Sequence, residues 1–524
     1  MSASASLARD RIQTSKPPSR LPVPHADLNP DELRRRTILS GVVALAVRSA
    51  QAVLSLGAAI VLARLLSPAD FGIFAMVVPL GVVATGIAAH GLQTTLLQRA
   101  SLSDQDASTF FWMALRDNLG VAALMLAGGF ALSWFYGEPR VIGVTAVWSA
   151  LVGGLTLTSF QEALLKRQIR FPRVSVLQLV SLLLGIVAAV TAARRGAGYW
   201  ALPLQLFVTE ITRAIGIFLI SGWRPGTSSQ SARANAVEMQ RSWRTLRGLA
   251  LATWVAEQPD LVAVGRVGGA AGLGYYDVAR RWSWYAFEEP FMALSDLAVA
   301  SFSRVRTDEE RFRNASSRGI LTMLSVSLPL IAFAGAESAS LVEILLGRKW
   351  LPAVPYMQLL CIVSFVGALR RVSQWIPLAS GHASRLLRWS LYVRTPTMVG
   401  AALLGLTRGT LGVAIAMVAA AVVLVLPEIY YTIRGSGVGF AVVLRAAARP
   451  SIASIFAAST LLTVSSFIPL APSVLYLTLA AGIFAMAFCT AWLMIPGGVS
   501  QARELANALG EAKRAPTGSP GFLG

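Results

Sequence analysis

Apolar residues in this chain gather into long runs separated by short polar breaks, without the strict alternation that marks half-buried strands. Fourteen runs lie near 38–62, 71–95, 112–135, 141–163, 174–193, 198–221, 247–265, 273–300, 318–336, 352–379, 387–405, 410–433, 450–469 and 473–495. A helix of about 20 residues crosses the hydrocarbon core of a bilayer. It also satisfies its own backbone hydrogen bonds, which lipid cannot do. The pattern predicts an all-α, polytopic membrane protein of about 14 transmembrane helices. The eighth and tenth runs are the least apolar, because charges interrupt them.

One corner between runs is written twice. VLARLLSPADFGIFAM at 61–76 returns as VAVGRVGGAAGLGYYDV at 262–278, an offset of 202 residues. In both, a small residue and an arginine (Ala63-Arg64, Gly265-Arg266) precede a break, and a glycine-aromatic step opens the next run. A weaker echo pairs Tyr199-Trp200-Ala201-Leu202 with Leu411-Gly412-Val413-Ala414. Six runs separate each matched pair, and an even number preserves orientation across the membrane. The expected organisation is a basic cytoplasmic tail over 1–36, a six-helix lobe over 37–235 and a second over 236–440. Two further helices follow over 441–497, and a cytoplasmic amphipathic helix and tail over 498–524.

Composition agrees with a membrane protein: 55% of residues are hydrophobic and 14% charged. The net charge of +20 invites a nucleic-acid reading, but its distribution argues otherwise. With a cytoplasmic N-terminus, 30 of the 46 Lys and Arg fall in inside segments, 8 in outside loops and 8 within the runs. That bias fixes both termini inside, and a missed helix would level it. The charge thus reports orientation and contact with anionic headgroups, with no nucleic acid as partner. Cys361 and Cys489 lie in separate apolar runs, and His25, His90 and His382 are scattered, so no metal-ligand set is visible. Asp104-Gln105-Asp106 resembles a glycosyltransferase DxD, but helix capping is the expected role. No GxxxxGK[ST] loop appears, so ATP hydrolysis is not the expected drive.

The informative residues are ionisable groups inside the runs, which cost about 2.5–3.5 kcal/mol each at the bilayer centre and so face a bundle interior or water. Eight are basic: Arg48, Arg116, Arg213, Arg280, Arg281, Arg370, Arg371 and Arg394. The acids are Asp117, Glu162, Glu210, Glu257, Asp260, Asp277, Glu288, Glu289, Asp296 and Glu428. Asp277–Arg281 and Glu210–Arg213 stand at helix-neighbour spacing, so internal pairing competes with a ligand-binding role. Arg370-Arg371 has no acid nearby in sequence, which makes it the stronger candidate for an anionic substrate, with snorkelling to the surface as the alternative. Arginine's planar fork suits phosphate, and the arginines together are read as a substrate-binding set. Pro259 lacks an N–H and should break the seventh run beside Glu257 and Asp260, a setting for Na⁺ or a proton or for a simple kink.

The segments ARLLSPADFGIFAM, GLQTTLLQR, FYGEP, LLKRQIRF, GYWAL, GWRP, PDLVAVGRVGGAAGLGYYDVA and LLGRKWLPAVPYMQLL resemble, in order and spacing, bacterial polysaccharide and lipopolysaccharide transporters. These are the Wzx-type flippases of the multidrug/oligosaccharidyl-lipid/polysaccharide superfamily. The resemblance covers roughly 37–440. It implies two six-helix lobes opening alternately to either side of the bacterial inner membrane. The substrate would be an undecaprenyl-pyrophosphate-linked oligosaccharide, and Na⁺ or H⁺ would couple through an acid such as Asp260. Polysaccharide polymerase or export machinery would be partners. The chain departs from the family at Ala89-His90, where an acid is common, and at Glu162, where a base is common. Alternatives are a drug/cation antiporter, another lipid-linked precursor flippase, a membrane polymerase or ligase, or a scaffold of an export complex.

Overall fold

The computed structural model describes residues 30–89, 91–99, 102–167, 171–228, 232–255, 257–467, 471–495 and 497–498. Of the expected disordered tail over 1–36, residues 1–29 lie outside the described residues, as do His90 and the expected amphipathic helix over 499–514, whereas 30–36 are helical and open α1. Every element described is helical. In chain order these are α1 (Pro30–Leu65), α2 (Pro68–Ala89), α3 (Leu92–Gln98), α4 (Asp104–Tyr136), α5 (Arg140–Arg167), α6 (Phe171–Arg194) and α7 (Ala201–Ser221). There follow α8 (Arg233–Val255), α9 (Pro259–Val305), α10 (Glu309–Ala336), α11 (Ser338–Leu341), α12 (Val354–Ser373) and α13 (Trp375–Ala379). The chain closes with α14 (Ala383–Trp389), α15 (Thr395–Leu406), α16 (Gly409–Ile433), α17 (Phe440–Phe467) and α18 (Val474–Met494).

Among the described residues, eleven helices are long and apolar enough to cross a membrane. The runs near 247–265, 273–300 and 387–405 supply no such helix. For the first two the cause is charge: α8 carries Arg233, Glu238, Arg241, Arg244 and Arg247, and α9 carries Asp260 to Asp296. The third is interrupted between α14 and α15 by a wide π turn over Ser390–Arg394. Helix α8 also begins at Arg233, well before the expected start near 247, because its first turns pack their apolar side on α3, α4 and α5. Large apolar side chains such as Leu124, Trp134 and Leu404 are open on the outer faces, as lipid contact requires.

The described residues fall into two compact units. One comprises those of Met1–Val278 and Ser390–Met417, the other those of Ala279–Trp389 and Val418–Gly524. At one end of the first unit Leu92, Leu96, Phe110, Phe111, Phe160 and Trp243 form a core closed by rings 5.4–6.0 Å apart. Ser103 caps α4 by accepting from the Asp106 N–H at 3.1 Å, while its own hydroxyl donates to the Asp106 carboxylate at 2.6 Å. The DxD-like stretch is therefore a reciprocal helix cap. In the second unit α10 packs against α17 and α12, and α17 against α18.

The duplicated corner is realised twice in the backbone. Leu66 and Ser67 separate α1 from α2, and 202 residues on, Gly269 bends α9 into limbs over 259–268 and 270–305. Gly269 takes φ 59° and ψ −164°, a region closed to residues with a Cβ. The two corners also meet. A Cβ on Gly72 would fall on the carbonyl oxygen of Ala270, and a Cβ on Gly274 on that of Pro68. Each glycine and each carbonyl is its partner's counterpart at the same offset, so the contact is its own mirror under the repeat.

Candidate functional site

Two groups of intramembrane charges stand out in the first unit. At the first, α5 presents Glu162, with only 5% of its side chain exposed, to Lys166 one turn on at 2.8 Å. Arg213 from α7 reaches Glu210 at 2.6 Å and Glu162 at 3.9 Å. Gln178 of α6 donates to Glu162 at 3.4 Å, and Gln93 of α3 accepts from Lys166 at 2.9 Å. The two acids and two bases balance. Such a set tolerates burial because each charge has a partner, and removing one member would strand the others. The expected Glu210–Arg213 pair is present, and Glu162 joins it through a contact the sequence did not suggest.

The second place is the α8–α9 junction. Pro259 opens α9 as its first residue, so the break falls at Glu257 and Gln258 and not in mid-helix. The carbonyl of Val255, which Pro259 cannot satisfy, accepts from the Gln258 N–H at 3.5 Å. Asp260, 4% exposed, lies one residue into the helix and accepts from the Tyr276 hydroxyl at 3.0 Å. Those residues are 16 apart, a separation of about 24 Å along one straight helix. The bond exists only because Gly269 folds the two limbs against each other. Glu257 is half-buried beside this junction.

In the second unit, Arg370 of α12 lies 3.6 Å from Glu428 of α16, with 11% and 3% of their side chains exposed. Gln374, one turn beyond Arg370, donates to the same carboxylate at 3.2 Å. The sequence showed no acid near Arg370; the tertiary fold supplies one from 58 positions away. The neighbouring Arg371 lies over the ring of Trp284 at 4.4 Å and that of Phe291 at 6.0 Å. Phe291 in turn stacks on Trp375, which donates to Ser295 at 2.9 Å. Arg280 and Arg281 are half-buried on the second limb of α9.

The remaining arginines are dispersed. Arg48 is half-buried on α1, and Arg394 closes the π turn that packs on α8. Arg116 is 76% exposed and reaches its neighbour Asp117 only at 4.0 Å. Asp117 is committed instead to α8, where Gln240, Arg244 and Arg247 approach it at 3.0, 3.2 and 3.6 Å. The eight arginines are thus spread over both units. The side chains of Glu288, Glu289 and Asp296 lie outside the described residues. Among the described residues there is no cluster of three or more His, Cys, Asp or Glu placed to hold a metal. Sequence reasoning passed over Glu337, a buried acid just beyond α10, because it stands in a polar break between two runs.

Apolar helices with ionic groups buried between them define a polytopic helical membrane protein. Its fold is similar to that of a lipid II flippase, MurJ, in an inward closed conformation, with a TM-score of 0.67, 12% identity and coverage of 87% of this chain and 98% of that one. A family model described as polysaccharide biosynthesis protein matches residues 61–355, more than half of the 524 residues, and the chain belongs to that family. It is 28% identical to the succinoglycan biosynthesis transport protein ExoT of Rhizobium meliloti (strain 1021) over 67% of this chain and 70% of ExoT. It is 20% identical to the lipopolysaccharide biosynthesis protein WzxC of Escherichia coli (strain K12), over 60% of this chain and 63% of WzxC.

Proposed function

We propose that this protein moves a lipid-linked oligosaccharide, an undecaprenyl-pyrophosphate-bound repeat unit, from the cytoplasmic to the periplasmic leaflet of the bacterial inner membrane. The product feeds exopolysaccharide or lipopolysaccharide assembly, with polymerase or export machinery as downstream partners. The observation that carries this reading is the burial of ionic groups within a helical bundle of a polysaccharide-biosynthesis family. A pyrophosphate and several sugars do not cross hydrocarbon unaided, and a polar, hydrated path between helices replaces their solvent. Fourteen spans in two parallel six-helix lobes plus two, both termini cytoplasmic, remain the topology that the charge bias supports.

Within this reading the substrate's phosphates meet arginines from the set Arg48, Arg116, Arg213, Arg280, Arg281, Arg370, Arg371 and Arg394. Arg213 and Arg370 lie beside carboxylates, so a substrate phosphate reaching them would compete with Glu210 and Glu428. The broken helix at Glu257 and Asp260 is the place for a coupling Na⁺ or proton. The test is flipping of a fluorescent polyprenyl-pyrophosphate oligosaccharide in proteoliposomes under imposed ion gradients. Arg280→Ala and Arg371→Ala should each slow flipping by about tenfold or more, the effect of about 1.4 kcal/mol. Asp260→Asn should abolish the gradient dependence. Unchanged rates in both arginine variants overturn the phosphate assignment, and an intact ion dependence overturns that of Asp260.

A further inference from the structure

Glu337 follows the last residue of α10 and is 4% exposed. Three hydroxyls converge on its carboxylate from three elements. Ser340 of α11 donates to Oε2 at 2.8 Å, and Tyr476 of α18 donates to Oε1 at 2.9 Å. Ser465 of α17 lies 3.4 Å from Oε1. Among the described residues no Lys, Arg or His comes within ion-pair distance of it. A buried carboxylate away from any base is costly unless a proton or a cation neutralises it.

Ser465 points to what that is. Its hydroxyl has one proton, and that proton is engaged by the carbonyl of Leu461 at 2.6 Å. The side of Oγ that faces Glu337 is therefore a lone pair opposite a carboxylate oxygen, an arrangement that repels unless a proton or a metal cation lies between. One residue from Glu337, Ser338 Oγ is wholly buried and has no hydrogen-bond partner among the described residues. Every donor is a hard oxygen, and oxygen-only sites select alkali and alkaline-earth cations over transition metals. With a single carboxylate, a monovalent ion leaves the site neutral and a divalent one leaves it charged.

We propose that Glu337, Ser340, Ser465 and Tyr476 form a sodium-binding site that fastens the α17–α18 hairpin to the end of α10. The site adjoins the apolar seam of Phe333, Ala457, Leu461 and Phe484, so an ion there would tie its polar end together. It is separate from the Asp260 junction, which belongs to the other unit.

The experiment follows thermal unfolding of the purified full-length protein in detergent as NaCl replaces KCl at constant ionic strength. A ligand that binds the folded state raises the midpoint in a saturable way. Wild type should show that rise with Na⁺, and Glu337→Gln should lack it. Tyr476→Phe and Ser465→Ala should each raise the half-saturating Na⁺ concentration by about tenfold, equivalent to about 1.4 kcal/mol of binding. Asp260→Asn should keep the rise. The proposal is overturned by a wild-type protein indifferent to Na⁺, by an unchanged response in Glu337→Gln, or by a response lost only with Asp260. If Glu337→Gln does not fold, the two milder variants decide: unaltered half-saturation in both overturns it. The measurement involves no transport, so its outcome is independent of the substrate proposed above.

Discussion

Arg370→Ala removes an ion-pair partner of the buried Glu428 carboxylate, which Gln374 still contacts. Breaking a buried pair from one side costs about 3–5 kcal/mol, most of it the stranded charge. Replacing both partners, as Arg370→Met with Glu428→Leu, should recover most of that stability in a detergent melt; equal losses in the single and double variants would contradict the pairing. Glu138, in the loop between α4 and α5, gives a second test. Its carboxyl is held below the ordinary value of 4.5, first by the side-chain hydrogen bonds from Arg140. A lowered value means the contribution is complete above that ordinary value and lost as pH falls through the lowered one. Arg140 is half open to water, which screens the pair and keeps the effect small. The stability gap between wild type and Glu138→Gln should therefore narrow from pH 7 to pH 3, and a widening gap would reverse the assignment. Spacing revealed the Glu210–Arg213 pair, because helix geometry alone brings it together. Arg370–Glu428 and Asp260–Tyr276 were hidden, because each needs a second helix to arrive.

At the scale of elements, the decisive feature is the glycine-to-carbonyl contact between the two copies of the corner. An alanine at Gly72 or Gly274 gains helix propensity of about 1 kcal/mol but places a methyl on a backbone carbonyl that cannot step aside. Overpacking of this kind typically costs about 1–3 kcal/mol, so the clash decides the sign. Both variants should lower the unfolding midpoint, and by similar amounts, since the contact is reciprocal. A neutral Gly72→Ala would show that the corners do not touch. Apolar runs located most helices within a few residues, because the need to hide a backbone from lipid is written locally. Run boundaries depart most from the helices at α8, α9 and the α14–α15 break, where charge, a glycine turn and a π turn interrupt the pattern.

Across the whole molecule, the parallel repeat predicts that its two corners face the same side. In a chain whose Cys361 and Cys489 are replaced by alanine, Ser67→Cys and Ala271→Cys should both react with a membrane-impermeant maleimide added to spheroplasts. Thr227→Cys should react only after permeabilisation. Labelling of the two corners from opposite sides would end the parallel-lobe reading. The all-helical, membrane-spanning character of the chain was legible in the sequence, because length and hydropathy act on each segment separately through the bilayer. Which charges neutralise one another, where Asp260 finds its hydroxyl and how Glu337 collects three of them were decided only by the tertiary structure. Those contacts join residues from 3 to 139 positions apart, and only packing sets such distances in space.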